Sequence, residues 1–216
     1  LAENYTTQNE RGLYWGWKYT FNKKYALSGY FDLFRFPWLR YRNYSPSDGS
    51  EWLLRVNYKP SRSITMFFQV REETKVRNSS TDNNLFLSQP GIKRNYWINV
   101  DYKITSNIAF KTRAQFGTYL LGKNSSGGMI LLQDITWSSG KISISGRYAL
   151  FDTDDYDNRL YVYEKDVWMA FSFPAYYGVG VRNYLLFQYS ISKNIDIWLR
   201  WAHVRFTDRT TIGSGS

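Results

Sequence analysis

The sequence predicts an all-β fold, an antiparallel transmembrane β-barrel of which about ten strands are visible. Three observations predict it: apolar and polar residues alternate along most of the chain, aromatic rings are abundant in a polar chain, and short turns alternate with long connections. Aromatic residues make up 19% of the 216 residues, although the mean hydropathy is −0.50. Rings gather at the membrane edges of such barrels while the interior stays polar, so the two properties occur together.

The alternation is clearest in the segment YKITSNIAFKTRAQFGTY (102–119). Apolar or small side chains from Ile108 to Phe116 alternate with Lys111, Arg113 and Gln115. Successive side chains of a strand point to opposite faces, so this strand has one apolar face and one basic face. No convincing helical period interrupts the pattern, and similar strands are expected near 13–21, 52–58, 64–70, 96–102, 142–148 and 185–191.

The connections between these strands fall into two classes that alternate along the chain. Short turns are predicted at 22–23, 60–62, 105–107, 138–140 and 192–194, and long polar connections at about 35–50, 76–93, 119–128 and 152–180. This sorting is typical of outer-membrane barrels, which have short periplasmic turns and long outer loops. Leu160 to Phe173 could form another strand, but a large outer or lumen-plugging loop over 152–180 keeps all short turns on one side.

We expect a single barrel segment over residues 1–216, truncated at one or both ends. The first residues read as an outer loop that leads into a strand, and the chain ends in RTTIGSGS without a closing strand that finishes on an aromatic residue. Because a closed barrel has no free edge, further strands are expected outside this sequence.

Five rings share a position relative to the short turns. Each lies one to three residues before a short turn on the predicted apolar face: Tyr19, Tyr58, Tyr102, Trp137 and Tyr189. Amphipathic rings at one constant depth form the belts of membrane–water interfaces, so we predict a membrane-interface belt. The alternative is that Tyr and Trp are simply common here and favoured in strands.

The opposite face of the strands is basic, in a chain whose formal charge is +10. The predicted lumen-facing basic residues are Lys18, Arg55, Arg71, Lys103, Lys111, Arg113, Arg147 and Arg200, offset by Asp32, Asp101 and Asp196. Lumen charges of one dominant sign bias a pore toward ions of the opposite sign. The set predicts one of two states. The barrel is an anion-preferring channel, or its lumen charges form salt-bridge networks around a plug and it conducts little.

Catalytic and metal sites are not expected. The chain has no Cys, one His and three Met, which argues against disulfides, thiolate chemistry and transition-metal centres, and no cofactor is predicted. The segment FDTDDYDN (151–158) has the acidic spacing of a calcium loop but lacks the turn glycine and terminal glutamate of an EF-hand, so a solvated loop is favoured. His203 follows Trp201 on the apolar side, which favours a residue at the membrane rim over a catalytic base.

The last quarter of the chain (159–215) resembles the C-terminal barrel region of Bacteroidota helix-hairpin-helix (ComEA-like) domain proteins. The matching elements are Tyr163–Val167, Phe173–Gly178, Leu199–Arg200 and Thr211–Gly215. The resemblance implies a barrel in the outer membrane that follows N-terminal helix-hairpin-helix repeats. Since this chain contains no such hairpin, the DNA binding of those repeats is not carried over to any residue here.

These observations predict an outer-membrane β-barrel protein of a Gram-negative bacterium, a pore or transport channel with a basic lumen. The alternative is a non-conducting anchor or scaffold for a surface or periplasmic complex, with a DNA-related role only if a missing helix-hairpin-helix domain supplies it. Expected partners are outer-membrane lipid and lipopolysaccharide, which suit the basic and aromatic stretch LFRFPWLRYRNY (33–44) better than nucleic acid does. Protein partners could contact loop 152–180 through its rings, which suit a plug equally well.

Overall fold

A computed structural model describes residues 9–39, 43–80 and 86–209 and has only strands as regular structure there. The long strands are β1 (Arg11–Thr20), β2 (Tyr25–Phe36), β3 (Ser47–Tyr58), β4 (Ile64–Ser80), β5 (Phe86–Lys103), β6 (Ile108–Leu121), β7 (Asn124–Ser139), β8 (Ile142–Thr153), β11 (Val179–Ser192) and β12 (Ile195–Phe206). Two short strands, β9 (Leu160–Tyr161) and β10 (Ala175–Tyr176), pair with each other. Nowhere in the described ranges does a helix long and apolar enough to cross a membrane occur.

The ten long strands form one sheet in the order β1-β2-β3-β4-β5-β6-β7-β8-β11-β12, with every neighbouring pair antiparallel. Long strands that are neighbours in this sheet also follow each other in the chain, so antiparallel connections alone build it. The predicted all-β antiparallel architecture is confirmed, with the ten strands that the alternation indicated.

The short turns lie where the sequence places them, to within two residues, but two of the expected long connections are wrong. Strands β4 and β5 extend through most of 76–93 and leave only 81–85 between them. The expected connection 119–128 is a two-residue turn at Gly122 and Lys123, with Leu121 opposite Asn124. Gly122 has a φ of +61°, a left-handed conformation that suits a tight hairpin turn. The sequence did not indicate these strand ends because polar residues occur on both faces there. The hydrogen-bond ladder of the backbone continues without an apolar pattern.

Segment 154–178, called the strap below, connects β8 to β11 and lies on one face of the sheet. It has β9 and β10 as its only strands of two or more residues, so Leu160 to Phe173 is not a further strand of the sheet. Along the strap Asn158, Leu160, Val162 and Glu164 are buried, whereas Tyr161 and Tyr163 are exposed. The alternation has a simple origin, because an extended segment that lies flat on a sheet turns every second side chain toward it.

The sheet therefore has two different faces. The strap face contacts segment 154–178, and a small core forms there from Ile130, Leu132, Ala149 and Phe151 of β7 and β8 together with Leu160, Val162 and Tyr176 of the strap. The opposite apolar face presents large hydrophobic side chains to the surroundings; Trp15 is 63% exposed and Leu199 is 70% exposed. Exposed apolar surface of this extent is unusual for a protein surrounded by water.

Gly117 of β6 lies directly beneath the strap, where a larger side chain would meet strap atoms. A Cβ atom there would lie 2.8 Å from Leu160 Cδ2 and 3.0 Å from Asn158 Oδ1, and Asn158 Nδ2 donates a hydrogen bond to the Gly117 carbonyl at 3.1 Å. We expect Gly117→Val to displace the strap at a cost of about 1–3 kcal/mol and to speed tryptic cleavage after Arg159. Gly146→Val is the control, since its Cβ would meet nothing nearer than 3.6 Å. Equal cleavage rates in the two variants would contradict the prediction.

Candidate functional site

The candidate site is the strap face of the sheet, where the register collects the charged side chains. Directly paired residues of neighbouring strands share a face, and Lys18, Ser28 and Arg55 form one such row across β1, β2 and β3. By the same registers all eight basic residues predicted to face a lumen lie on the strap face: Lys18, Arg55, Arg71, Lys103, Lys111, Arg113, Arg147 and Arg200. These eight residues therefore share one face of the sheet, and what they contact decides what the face can do.

Arg147 of β8 forms the most buried ion pair of the described residues. Its Nε and Nη2 atoms donate to the two carboxylate oxygens of Asp134 at 2.5 and 2.7 Å. The side chains are 4% and 10% exposed, and Nη1 donates to the Tyr163 carbonyl of the strap at 2.8 Å. A bidentate pair of this kind is strong and geometrically specific, so Arg147 links two strands and the strap.

Glu164 is the anchor of the strap, and its side chain is fully buried. Arg182 Nε and Arg200 Nη2 each donate to it at 2.6 Å, and Tyr176 Oη donates at 2.7 Å. Burial by itself raises the pKa of Glu164, but the hydrogen bonds from Arg182 and Tyr176 hold that pKa below its ordinary value. The carboxylate is therefore charged at neutral pH and joins the strap to β11 and β12.

Two lysines add polar contacts between the sheet and the strap. Lys93 Nζ of β5 donates to the carbonyls of Asp157 and Arg159 at 3.0 and 2.9 Å. Lys165 Nζ of the strap donates to Thr136 Oγ1 and Ser145 Oγ at 2.7 and 3.1 Å. Burial lowers the pKa of Lys165.

A second network lies on β2, β3 and β4. Arg71 Nε and Nη2 donate to Glu51 at 2.7 and 2.5 Å, and the Tyr30 hydroxyl donates to the same carboxylate. Glu73 contacts Arg71 at 3.1 Å and Lys75 at 2.7 Å. Arg71 therefore lies between two carboxylates and is not a free charge.

Apart from Arg200, which binds Glu164, the remaining predicted cations have weaker or no anionic contacts in the described part of the chain. Arg55 donates through Nε to Gln69 at 2.7 Å and lies 4.4 Å above the ring of Phe67. Lys111 lies 3.4 Å from Asp101, and Arg200 also lies 3.3 Å from Asp166. Arg113 lies 5.1 Å from the ring of Trp97, and its buried Nε has no hydrogen-bond partner among the described residues. Lys18 and Lys103 are exposed.

Sequence reasoning missed most of the carboxylates that pair with these cations. It named Asp32, Asp101 and Asp196 as the offsetting charges, and all three lie on the strap face. The stronger partners are Glu51, Glu73, Asp134, Glu164 and Asp166. Strand alternation could have found Glu51, Glu73 and Asp134. Each lies on the same face as an arginine of its own strand or of the next strand. The two strap carboxylates carry no such signal, because their contacts depend on how the strap returns to the sheet.

The five predicted belt rings lie on the apolar face, at the strand ends near the short turns. Tyr19 is opposite Leu27, Tyr58 opposite Tyr25, Tyr102 opposite Ile64, Trp137 opposite Ile108 and Tyr189 opposite Ile142. The rings of Tyr58 and Tyr25 stack with centroids 4.6 Å apart. A common face and a common end are what an interfacial belt requires.

The two minor candidate sites, the acidic segment 151–158 and His203, have structural contacts. Asp154 Oδ2 accepts a hydrogen bond from the Gly127 amide at 2.6 Å, and Asp155 Oδ1 accepts one from the Asn158 amide at 2.8 Å. Within the described ranges no group of three or more His, Asp or Glu side chains could hold a metal ion. His203 stacks on Trp201 with ring centroids 5.9 Å apart, so both lie on the apolar face as strand parity predicts.

Comparisons of the chain with protein-family models, with curated proteins and with solved structures found no match.

Proposed function

We propose that this chain is part of an outer-membrane β-barrel of a Gram-negative bacterium, closed by its strap and acting as a non-conducting anchor or scaffold. The apolar face supports the membrane location, because it exposes large hydrophobic side chains along the sheet and carries rings at the ends of five strands. Closing the sheet into a barrel would pair its two outermost strands, directly or through further strands, and remove the free edges.

The single observation that carries the closed state is the fixation of the strap by buried charge pairs. Glu164 binds Arg182 and Arg200, and the Arg147–Asp134 pair holds the Tyr163 carbonyl. An open basic pore needs cations that face water and attract anions. Arg71, Arg147 and Arg200 instead contact carboxylates, so most of their field is neutralised.

A pore or transport channel is the second candidate function, and Arg113 favours it. This arginine has no carboxylate partner among the described residues, and Lys18 and Lys103 on the same face are exposed. If the strap were released, the strap face would be open to water, and these three positive charges could attract anions. Arg113→Glu would then reverse the anion preference of an open form, whereas Arg147 is unsuitable for such a test because it is paired with Asp134.

Conductance of the full-length protein in planar bilayers tests the proposal. We expect no stable current steps from protein whose insertion is verified independently, because the strap and its ion pairs close the interior. The Gly117→Val variant, with a displaced strap, should give steps more often than wild type. Stable anion-selective steps from the wild-type protein would overturn the scaffold proposal and favour the channel.

The proposed partners are outer-membrane lipid and lipopolysaccharide on the apolar side, and proteins that contact the strap. Trp168, Met169 and Phe171 of the strap are strongly exposed and available for such contacts. The proposed Bacteroidota origin rests on the resemblance to helix-hairpin-helix (ComEA-like) proteins. Two of its motifs meet in the fold through the hydrogen bond between Tyr176 and Glu164, whereas Thr211–Gly215 lies outside the described residues.

A further inference from the structure

A cavity of about 390 Å³ lies between the strap face of β4, β5 and β6 and the strap itself. This volume falls within the range of about 300–1,000 Å³ that small-molecule sites occupy. The floor consists of side chains from three neighbouring strands, and the strap supplies the roof. The cavity is separate from the Glu164 anchor, which lies over β11 and β12.

Positive charge dominates the lining. Five cationic side chains and two carboxylates contribute to it, and cations remain in excess even with Glu51, which lies beyond Arg71. Lys93 sits at the boundary between floor and roof, where its ammonium group donates to two strap carbonyls. Arg77 of β4 and Arg159 of the strap also contribute to the lining. Guanidinium and ammonium groups gathered in a partly enclosed space are the usual receptors for phosphate and carboxylate oxygens.

Flat rings form the other part of the lining. Tyr161 and Phe173 of the strap stack with centroids 5.8 Å apart and an interplanar angle of 1°, and Trp97 contributes from β5. Parallel rings present a flat, apolar and rigid wall at low conformational cost. A ligand that suits this lining has a charged end and a ring-shaped body.

We propose that the cavity binds a small anionic solute in which a phosphate or carboxylate is attached to a sugar ring. The anionic group contacts Arg77, Lys93 and Arg159, and the sugar ring lies against Tyr161 and Phe173. A free solute is favoured over a lipid headgroup because the cavity opens on the strap face, whereas the apolar side chains that would meet acyl chains lie on the opposite face. This inference goes beyond the proposed function, since binding in the cavity requires neither current nor a scaffold partner.

Isothermal titration of the full-length protein, folded in detergent, tests the proposal with glucose 6-phosphate, inorganic phosphate and glucose as probes. We expect saturable binding that is tightest for glucose 6-phosphate and absent for glucose. Arg77→Gln should weaken binding of both phosphates at least tenfold. Phe173→Ala should weaken the binding of glucose 6-phosphate and leave the binding of inorganic phosphate unchanged. A general loss of folding would weaken the binding of both.

Lys103→Gln is the matched control, because it removes one positive charge from the same face at an exposed position away from the cavity. It should leave binding unchanged, and equal losses in Lys103→Gln and Arg77→Gln would overturn the site. Failure of both phosphates to bind would also overturn it. Binding of purified lipopolysaccharide in their place, lost in Arg77→Gln, would overturn the free-solute assignment. Since no current is measured, these results are independent of the conductance test.

Discussion

Replacing Glu164 by glutamine is expected to destabilise the protein by about 3–5 kcal/mol, the usual cost of removing one partner from a buried charge pair. The substitution keeps the size of the side chain and removes its charge. Arg182 and Arg200 then remain partly buried without their carboxylate. Both lie on paired strands of the sheet, whereas Glu164 lies on the strap, so we expect the strap to leave the sheet before the sheet unfolds.

Denaturant unfolding of the full-length protein in detergent, followed by Trp fluorescence, measures the loss of stability. Tryptic cleavage of the strap, compared with cleavage elsewhere, measures its release. The control is Asp101→Asn, which breaks the half-exposed contact with Lys111 on the same face and should cost at most about 1 kcal/mol. If Glu164→Gln proves as mild as Asp101→Asn, the strap is not held by this carboxylate.

The effect of Glu164→Gln should also depend on pH. The pKa of Glu164 lies below its ordinary value in the folded protein, so its contribution is fully present above the unfolded pKa of about 4.3. It is lost as the pH falls from there through the folded pKa. The difference in unfolding free energy between wild type and Glu164→Gln should therefore be constant near neutral pH and narrow below about pH 4. A difference that does not change down to about pH 3 would assign the effect to packing.

The strands and their faces could be predicted from the sequence because both depend on a local period of two residues. The face of Arg113 or Arg147 follows from parity within its own strand, and the registers agree with it. Strand ends were harder to predict where polar residues occupy both faces, as in 76–93 and 119–128. There the hydrogen-bond ladder continues without an apolar pattern, so composition alone suggested loops.

The strap could not be placed from the sequence because its contacts join residues far apart in the chain. The buried alternation from Asn158 to Glu164 resembles a strand, and it does lie against a sheet, but through side chains and not through the main ladder. The meeting of Glu164 with Arg200, 36 residues later, depends on the path of the whole segment. No local pattern encodes such a contact.

Replacing Asp134 by asparagine is the second substitution for which a large effect is expected, about 3–5 kcal/mol of lost stability. The Asp134→Asn substitution would leave the guanidinium of Arg147 charged and 4% exposed without an anionic partner, and only neutral acceptors, the asparagine Oδ1 and the Tyr163 carbonyl, would remain beside it. The double variant Asp134→Leu and Arg147→Met removes both charges from a site next to the apolar core residues Leu132 and Ala149. It should be clearly less destabilising than Asp134→Asn, because no unpaired charge stays buried.

This comparison also distinguishes the two candidate functions at one residue, with unfolding in detergent as the measurement. In an open, water-filled pore Arg147 would be hydrated after loss of its partner, and Asp134→Asn would then cost no more than about 1 kcal/mol. Beneath the strap the charge has no access to water, so the single variant costs more than the double variant. If Asp134→Asn lowers the unfolding free energy less than the double variant does, Arg147 is in contact with water, and the channel is favoured. The opposite order is expected if the strap closes this face, as the contacts of Arg147 with Asp134 and Tyr163 indicate.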